Sequence, residues 1–228
     1  MQQRKKPGRW SFAPVATVVA TAGAVILPAT PAHAAVITVP CDPVALVESV
    51  AAATDSPGED TLALTPNCVY TLPRPAVEAG EEGLPRVRGR LVIRGNDATV
   101  RRAPDAPQFR LISNWGDLTL DRVTLTGGHA PDGVGVDTWG QGMSGGDGGA
   151  IENWGPLTIT DSVLTGNSAG APGADVTATS EAGRGGLGGF GGALSSYLST
   201  SGAVTITDSV ISDNRTGAGG RSGRRPGW

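Results

Sequence analysis

Seven arginines, Arg86, Arg88, Arg90, Arg94, Arg101, Arg102 and Arg110, fall within 25 residues, and only Asp97 and Asp105 oppose them inside that stretch. A guanidinium is a flat fork of donors that meets a carboxylate or phosphate through two parallel hydrogen bonds. Arg86, Arg88, Arg90, Arg101 and Arg102 are therefore the candidate ligand contacts, with Trp139 as a ring that could stack on a sugar. The partner they fit is an acidic polysaccharide or cell-wall polymer. A competing reading lays the same side chains beside the acidic stretch from Glu78 to Glu82, with their heads in water.

Other residue types offer less chemistry. Asp132, Asp137, Asp147, Glu152, Asp175 and Glu181 lie in or beside two glycine-rich segments. Glycoside hydrolysis needs two carboxylates facing each other at a set separation, and no tight acidic pair such as D-x-D occurs among these. Gly142-Met143-Ser144-Gly145-Gly146 satisfies G-x-S-x-G and 183–188 satisfies G-x-G-x-x-G, but neither sits between a strand and a helix, the context that gives such motifs their mechanics. His129 is the one histidine beyond residue 34. No catalytic residue, metal ligand or cofactor is assigned on these grounds. Calcium held by loop aspartates and carbonyls stays open, without an EF-hand or nonapeptide pattern behind it.

The elements that must position these residues begin with a leader. Residues 1–34 read as a signal peptide: Arg4 to Arg9 form a basic head, 12–27 an apolar stretch, and Ala32-His33-Ala34 a small-x-small cleavage site. The apolar stretch is short and proline-broken for a membrane span, so no span is expected after cleavage, and the destination is secreted or cell-surface. Beyond residue 34 the chain carries 14 arginines, no lysine and 21 acids, a net −7 that argues against a general nucleic-acid binder. Cys41 and Cys68, the only cysteines, read as a disulfide in an exported chain. Between them Asp42 is a good N-cap, Pro43 suits the first helical position, and Val44, Val47, Val50 and Ala51 recur at helical spacing.

The strongest pattern is internal repetition. Residues 156–167 match 203–214 without a gap, and 117–128 is a looser copy. Each is preceded by a shorter unit, at 109–116, 149–155 and 192–195. The strands are short, β-branched and alternating, with no helical stretch between them. Equivalent residues are expected to form buried columns: Leu118, Leu157 and Val204; Leu120, Ile159 and Ile206; Leu125, Leu164 and Ile211. Asn167 and Asn214 are expected at a stacked turn, and Trp115 and Trp154 in equivalent Asn-Trp-Gly turns. The inserts 128–147 and 168–190 occupy the same place in successive repeats. A small antiparallel sandwich is the alternative architecture.

Gly148-Gly149-Ala150-Ile151 and Gly191-Gly192-Ala193-Leu194, followed by Leu164-x-x-Asn167 and Ile211-x-x-Asn214, resemble the GGA(I/L) and F-x-x-N elements of polymorphic outer-membrane-protein-type repeats. The Cys–helix–Cys opening and the stretch Gly95 to Val100 resemble secreted bacterial proteins of the pectate-lyase-like superfamily. The expected fold is all-β: a right-handed single-stranded parallel β-helix with an N-terminal capping helix. The expected organisation is a signal peptide at 1–34, a cap at 35–72, repeats with glycine-rich inserts at 73–215 and a Gly/Arg tail at 216–228. Members of this group include adhesins, passenger domains, lyases and hydrolases, so fold alone does not give function. The expected role is a non-catalytic extracellular recognition or adhesion module; the alternative is a polysaccharide lyase or glycoside hydrolase.

Overall fold

The structure, a computed structural model, describes residues 35–56, 58–77, 80–138, 141–173, 185–197 and 202–220. The expected signal peptide, Trp139, Asp175, Glu181 and the end of the tail from 221 lie outside the described residues.

The chain opens with β1 (Val36–Val39), α1 (Pro43–Thr54), β2 (Glu59–Leu64) and β3 (Val69–Leu72). Asp42 caps α1, its carboxylate accepting from Val44 N at 3.2 Å and Ala45 N at 3.4 Å. Leu46, Val50 and Ala53, spaced by four and three, form its buried face. Cys41 and Cys68 form a disulfide with Cα atoms 5.7 Å apart, tying the start of the helix to the start of β3. Closing that loop of 27 residues stabilises the fold by roughly 3–4 kcal/mol in the chain-entropy account.

The remaining strands are β4 (Arg90–Arg102), β5 (Ile112–Asn114), β6 (Asp117–Thr126), β7 (Ile151–Asn153), β8 (Leu157–Thr160), β9 (Val163–Thr165), β10 (Leu194–Ser196), β11 (Val204–Thr207) and β12 (Val210–Ser212). Nine strands make one sheet, in the order β1-β2-β4-β6-β8-β11, with β3 joined to β4, β9 to β6 and β12 to β9; β10-β7-β5 make a second. All pairs between named strands are parallel, which removes the antiparallel sandwich.

The all-β, right-handed single-stranded β-helix is corrected by this arrangement. The described residues form two parallel sheets, of nine and three strands, together with a twelve-residue α-helix, in an α/β-like arrangement. The helix contributes Leu46, Val50 and Ala53 to the same buried cluster as the strands, so it is part of the core. The short-strand pattern also misplaces the breaks. β4 runs through 90–102 although Asn96 and Asp97 take left-handed φ values of 50° and 66°, because a register shift between Arg94 and Ala98 absorbs them as a bulge. β6 likewise runs unbroken through Arg122 at φ 49°. Segments that read as separate strands thus join one sheet.

Register follows the sequence repeat. Leu118, Leu157 and Val204 are aligned, as are Leu120, Ile159 and Ile206, and Leu125, Leu164 and Ile211. The first two members of each column are at most 1% exposed, and each fully buried side chain of this size contributes about 1.5–3 kcal/mol. The third members differ: Ile206 is 41% and Ile211 47% exposed, because β11 and β12 lie at the free edge.

The described parts of the glycine inserts pack backbone to backbone. Gly170 N donates to Gly146 O, Gly189 N to Gly170 O and Gly217 N to Gly189 O, each at 2.9 Å. A Cβ on Gly170 would run into the Pro131 carbonyl oxygen, and one on Gly189 into that of Gly146. Glycine is required there for close approach.

Candidate functional site

The segment 84–88 runs beside β5: Val87 N donates to Ser113 O at 3.0 Å and Trp115 N to Val87 O at 2.8 Å. Successive side chains of an extended chain point to opposite sides. Val87 is buried at 1%, whereas Arg86 and Arg88 point outward. Arg86 donates to Glu82 Oε1 at 2.6 Å, and its guanidinium lies 5.1 Å from the centre of the Trp115 ring, a cation–π contact. Arg90 opens β4 between Glu59 and Asp117, its register partners on the two flanking strands.

Two cavities adjoin at this place. One, of about 380 Å³, lies where the C-terminal end of α1 meets residues 76–77 and 80–88 and is lined by Thr54, Asp55, Glu82, Arg86 and Arg88, among others. The other, of about 600 Å³, is lined by Glu59, Arg88, Arg90 and Asp117 with several small residues. Arg88 belongs to both, and it is exposed and engaged in no hydrogen bond or ion pair among the described residues. Thr54 Oγ1 and Arg86 Nε, in residues that line the smaller cavity, are themselves closed off from solvent and have no hydrogen-bond partner among the described residues. Leaving such an atom unsatisfied costs about 1–3 kcal/mol.

Arg101 and Arg102 are not part of this group. They lie at the far end of β4, where Arg101 donates to Thr71 Oγ1 at 2.8 Å. Arg102 donates to the carbonyls of Gly127 at 2.9 Å, Ala106 at 2.6 Å and Pro107 at 3.3 Å. Burial pulls the Arg102 pKa below its ordinary value, with Asp105 opposing the shift. These bonds make Arg102 a staple between loops. The structure therefore brings Arg86, Arg88 and Arg90 together and separates them from Arg101 and Arg102.

Arg110 is also drawn away from solvent. Its side chain is 4% exposed and lies 3.3 Å from Glu81, 3.4 Å from Glu152 and 3.9 Å from Glu82. The reading that placed arginines beside the acidic stretch with their heads in water fits Arg86 at Glu82; Arg110 lies beside Glu81 and Glu82 as well, but with its head out of water. Glu82 and Glu152 share the Arg110 guanidinium, so the space between them is taken by a cation and not left for a glycosidic bond.

The outer row of the three-stranded sheet is aromatic. Trp115 and Trp154 stack at 5.2 Å and Trp154 and Tyr197 at 4.0 Å, with interplanar angles of 27° and 11°. Both faces of Trp115 and Trp154 are spent on neighbouring rings and on Arg86, so solvent meets the edges of these two indoles. Such a stack offers less to a sugar than a bare indole face does. Trp115 Nε1 donates to Ser113 Oγ at 3.0 Å, which donates in turn to Glu152 Oε2 at 3.3 Å. Tyr197 was invisible to the Asn-Trp-Gly pattern, yet it follows Leu194 by three residues, as Trp154 follows Ile151 and Trp115 follows Ile112, and those three anchors are in register. The Tyr197 hydroxyl donates to Asp147 Oδ2. Burial first, then that bond and charge, push its pKa up to about 12.

Among the described residues, Asp132, Asp147, Asp161 and Asp208 serve the scaffold. Asp132 accepts from Gln108 Nε2 at 2.8 Å and Ala171 N at 2.6 Å, with His129 Nε2 3.8 Å away. Burial, against Asp132, holds the His129 pKa below its ordinary value. Asp147 Oδ1 accepts from Phe190 N at 2.6 Å. Asp161 and Asp208 sit at left-handed bends with φ 49°. Among the described residues no three His, Cys, Asp or Glu side chains are grouped to hold a metal ion, and no helix is long and apolar enough to cross a membrane. Comparison with protein-family models, curated proteins and solved structures gives no match to this chain.

Proposed function

We propose that this chain is an exported, non-catalytic recognition module that binds acidic polysaccharide at the cell surface or outside the cell, through the row Arg86, Arg88 and Arg90. The observation that carries the reading is Arg88, exposed in the wall of two adjoining cavities and without a hydrogen-bond or ion-pair partner among the described residues. The disulfide and the leader-like 1–34 segment agree with an oxidising destination. The row stands out from a chain that is net acidic beyond residue 34, so contact with a polyanion is local and weakens with salt.

Affinity electrophoresis of the purified full chain tests it. Gels containing polygalacturonate should retard the protein, and gels containing neutral dextran should not. Arg88→Ala should weaken the retardation about tenfold, the scale of one lost charge-assisted contact, while Arg101→Ala should leave it unchanged. Equal mobility of wild type in every gel removes the reading.

A further inference from the structure

We infer that the aromatic row on the three-stranded sheet is a relay for one-electron oxidation. It carries a hole from the exposed edges of Trp115 and Trp154 to Tyr197, which keeps it as a neutral phenoxyl radical while Asp147 takes the phenolic proton. Trp115, Trp154 and Tyr197 directly follow β5, β7 and β10. Those strands pair in register, and two backbone bonds, Trp154 N to Asn114 O at 2.7 Å and Tyr197 N to Asn153 O at 2.9 Å, fix where each ring starts. The ring centres are thereby held 5.2 and 4.0 Å apart. Electron exchange falls off steeply with distance and is fast between rings in stacking contact. Trp115 is 50% and Trp154 36% exposed, so an outer-sphere oxidant in solution reaches both.

The charges along the row set its direction. The Arg86 guanidinium lies 5.1 Å from the Trp115 ring centre, where it is attracted to a neutral indole and repelled by an oxidised one. The Trp115 N–H donates to Ser113 Oγ, and the carboxylate behind that hydroxyl, Glu152, lies 3.4 Å from the Arg110 guanidinium, which makes it a poorer base. At the other end the Tyr197 hydroxyl donates to Asp147 Oδ2, and Phe190 N holds the second oxygen of that carboxylate at 2.6 Å. Loss of an electron makes a phenol strongly acidic, so transfer of its proton to a carboxylate runs downhill. The step balances: Tyr197 gives one electron to oxidised Trp154 and one proton to Asp147, and the oxidant has gained the electron that left the indole. Tyr70 is the contrast within the chain. It is 0% exposed and its hydroxyl donates to the Val39 carbonyl, which is too weak a base to take the proton.

Flash photolysis of the full chain with photogenerated tris(bipyridine)ruthenium(III) as oxidant tests the relay, because tryptophanyl and tyrosyl radicals absorb at separate wavelengths. In wild type the tyrosyl signal should rise as a tryptophanyl signal falls, at a first-order rate independent of oxidant concentration and slower in heavy water. Tyr197→Phe should leave tryptophanyl alone. Trp154→Leu should abolish the first-order rise, and Asp147→Asn, which keeps an acceptor oxygen and loses the base, should slow it at least about tenfold. Four results each overturn the relay: no tyrosyl signal in wild type, a rise that scales with oxidant, a rate unchanged in heavy water, or Asp147→Asn matching wild type. The first three need no variant, so a misfolded one cannot decide the matter.

Discussion

Tyr197 and Asp147 show what one polar pair does at the rim of the aromatic row. The phenol donates to the carboxylate, and ionising it would place two negative charges side by side in a partly buried place. The folded-state value of about 12 lies above the unfolded value near 10. The folded chain therefore holds this proton more tightly, and the stabilisation present below pH 10 is lost as pH rises towards 12. Ultraviolet titration, read as the difference between wild type and Tyr197→Phe, should show one phenol ionising near the upper value. Asp147→Asn removes the charge and the charged acceptor, so it should return that ionisation towards 10. An unmoved transition in Asp147→Asn would mean that burial alone sets it.

Between neighbouring strands, side-chain amides do the work that in Tyr197 falls to one hydroxyl. Asn167, 1% exposed, donates through Nδ2 to Leu125 O at 3.1 Å, Thr165 O at 3.1 Å and Asn214 Oδ1 at 2.9 Å, and accepts from Gly128 N at 2.9 Å. Asn167→Ala should cost about 3 kcal/mol, since several buried groups lose partners together. Asn167→Asp should cost at least as much, because a carboxylate would face three acceptor oxygens. Urea denaturation measures both, and a carboxylate tolerated better than alanine would refute the assigned amide orientation. This ladder was legible in the sequence, because a gap-free match between 156–167 and 203–214 fixes which residues stack. The merging of strands was not: a left-handed residue reads as a turn, and whether pairing continues across it depends on the neighbouring strand, as at Asn96 and Asp97. The arginine group was half legible for a similar reason. The density of arginine between 86 and 110 marked Arg86, Arg88 and Arg90, but marked Arg101 and Arg102 equally. Nothing local foretold that Arg102 would turn to three loop carbonyls, or that Arg110, beside Glu81 and Glu82, would also meet Glu152 and be drawn out of water.

Across the whole molecule, stability is graded along the large sheet. At the start of the chain α1 lies over the core, with Leu46 and Val50 fully buried among strand residues. At β11 and β12 the aliphatic columns run out to the free edge. Ile159 and Ile206 occupy the same repeat position in register, yet one is 0% and the other 41% exposed. A repeat alone predicts equal roles; burial predicts unequal ones. Ile159→Ala should cost about 2–5 kcal/mol, because the cavity it leaves is walled by strands on both sides. Ile206→Ala should cost about 1 kcal/mol or less, since water already reaches the position and little apolar area is lost. Asp208 and Asp213, at the bends that follow β11 and β12, put charge on this edge, and charge on an edge guards against strand addition. Replacing Ile206 by Lys should therefore be tolerated almost as well as Ala, whereas Ile159→Lys should unfold the chain. Equal losses at the two positions in urea denaturation, measured at several protein concentrations, would show that the free edge is covered in solution.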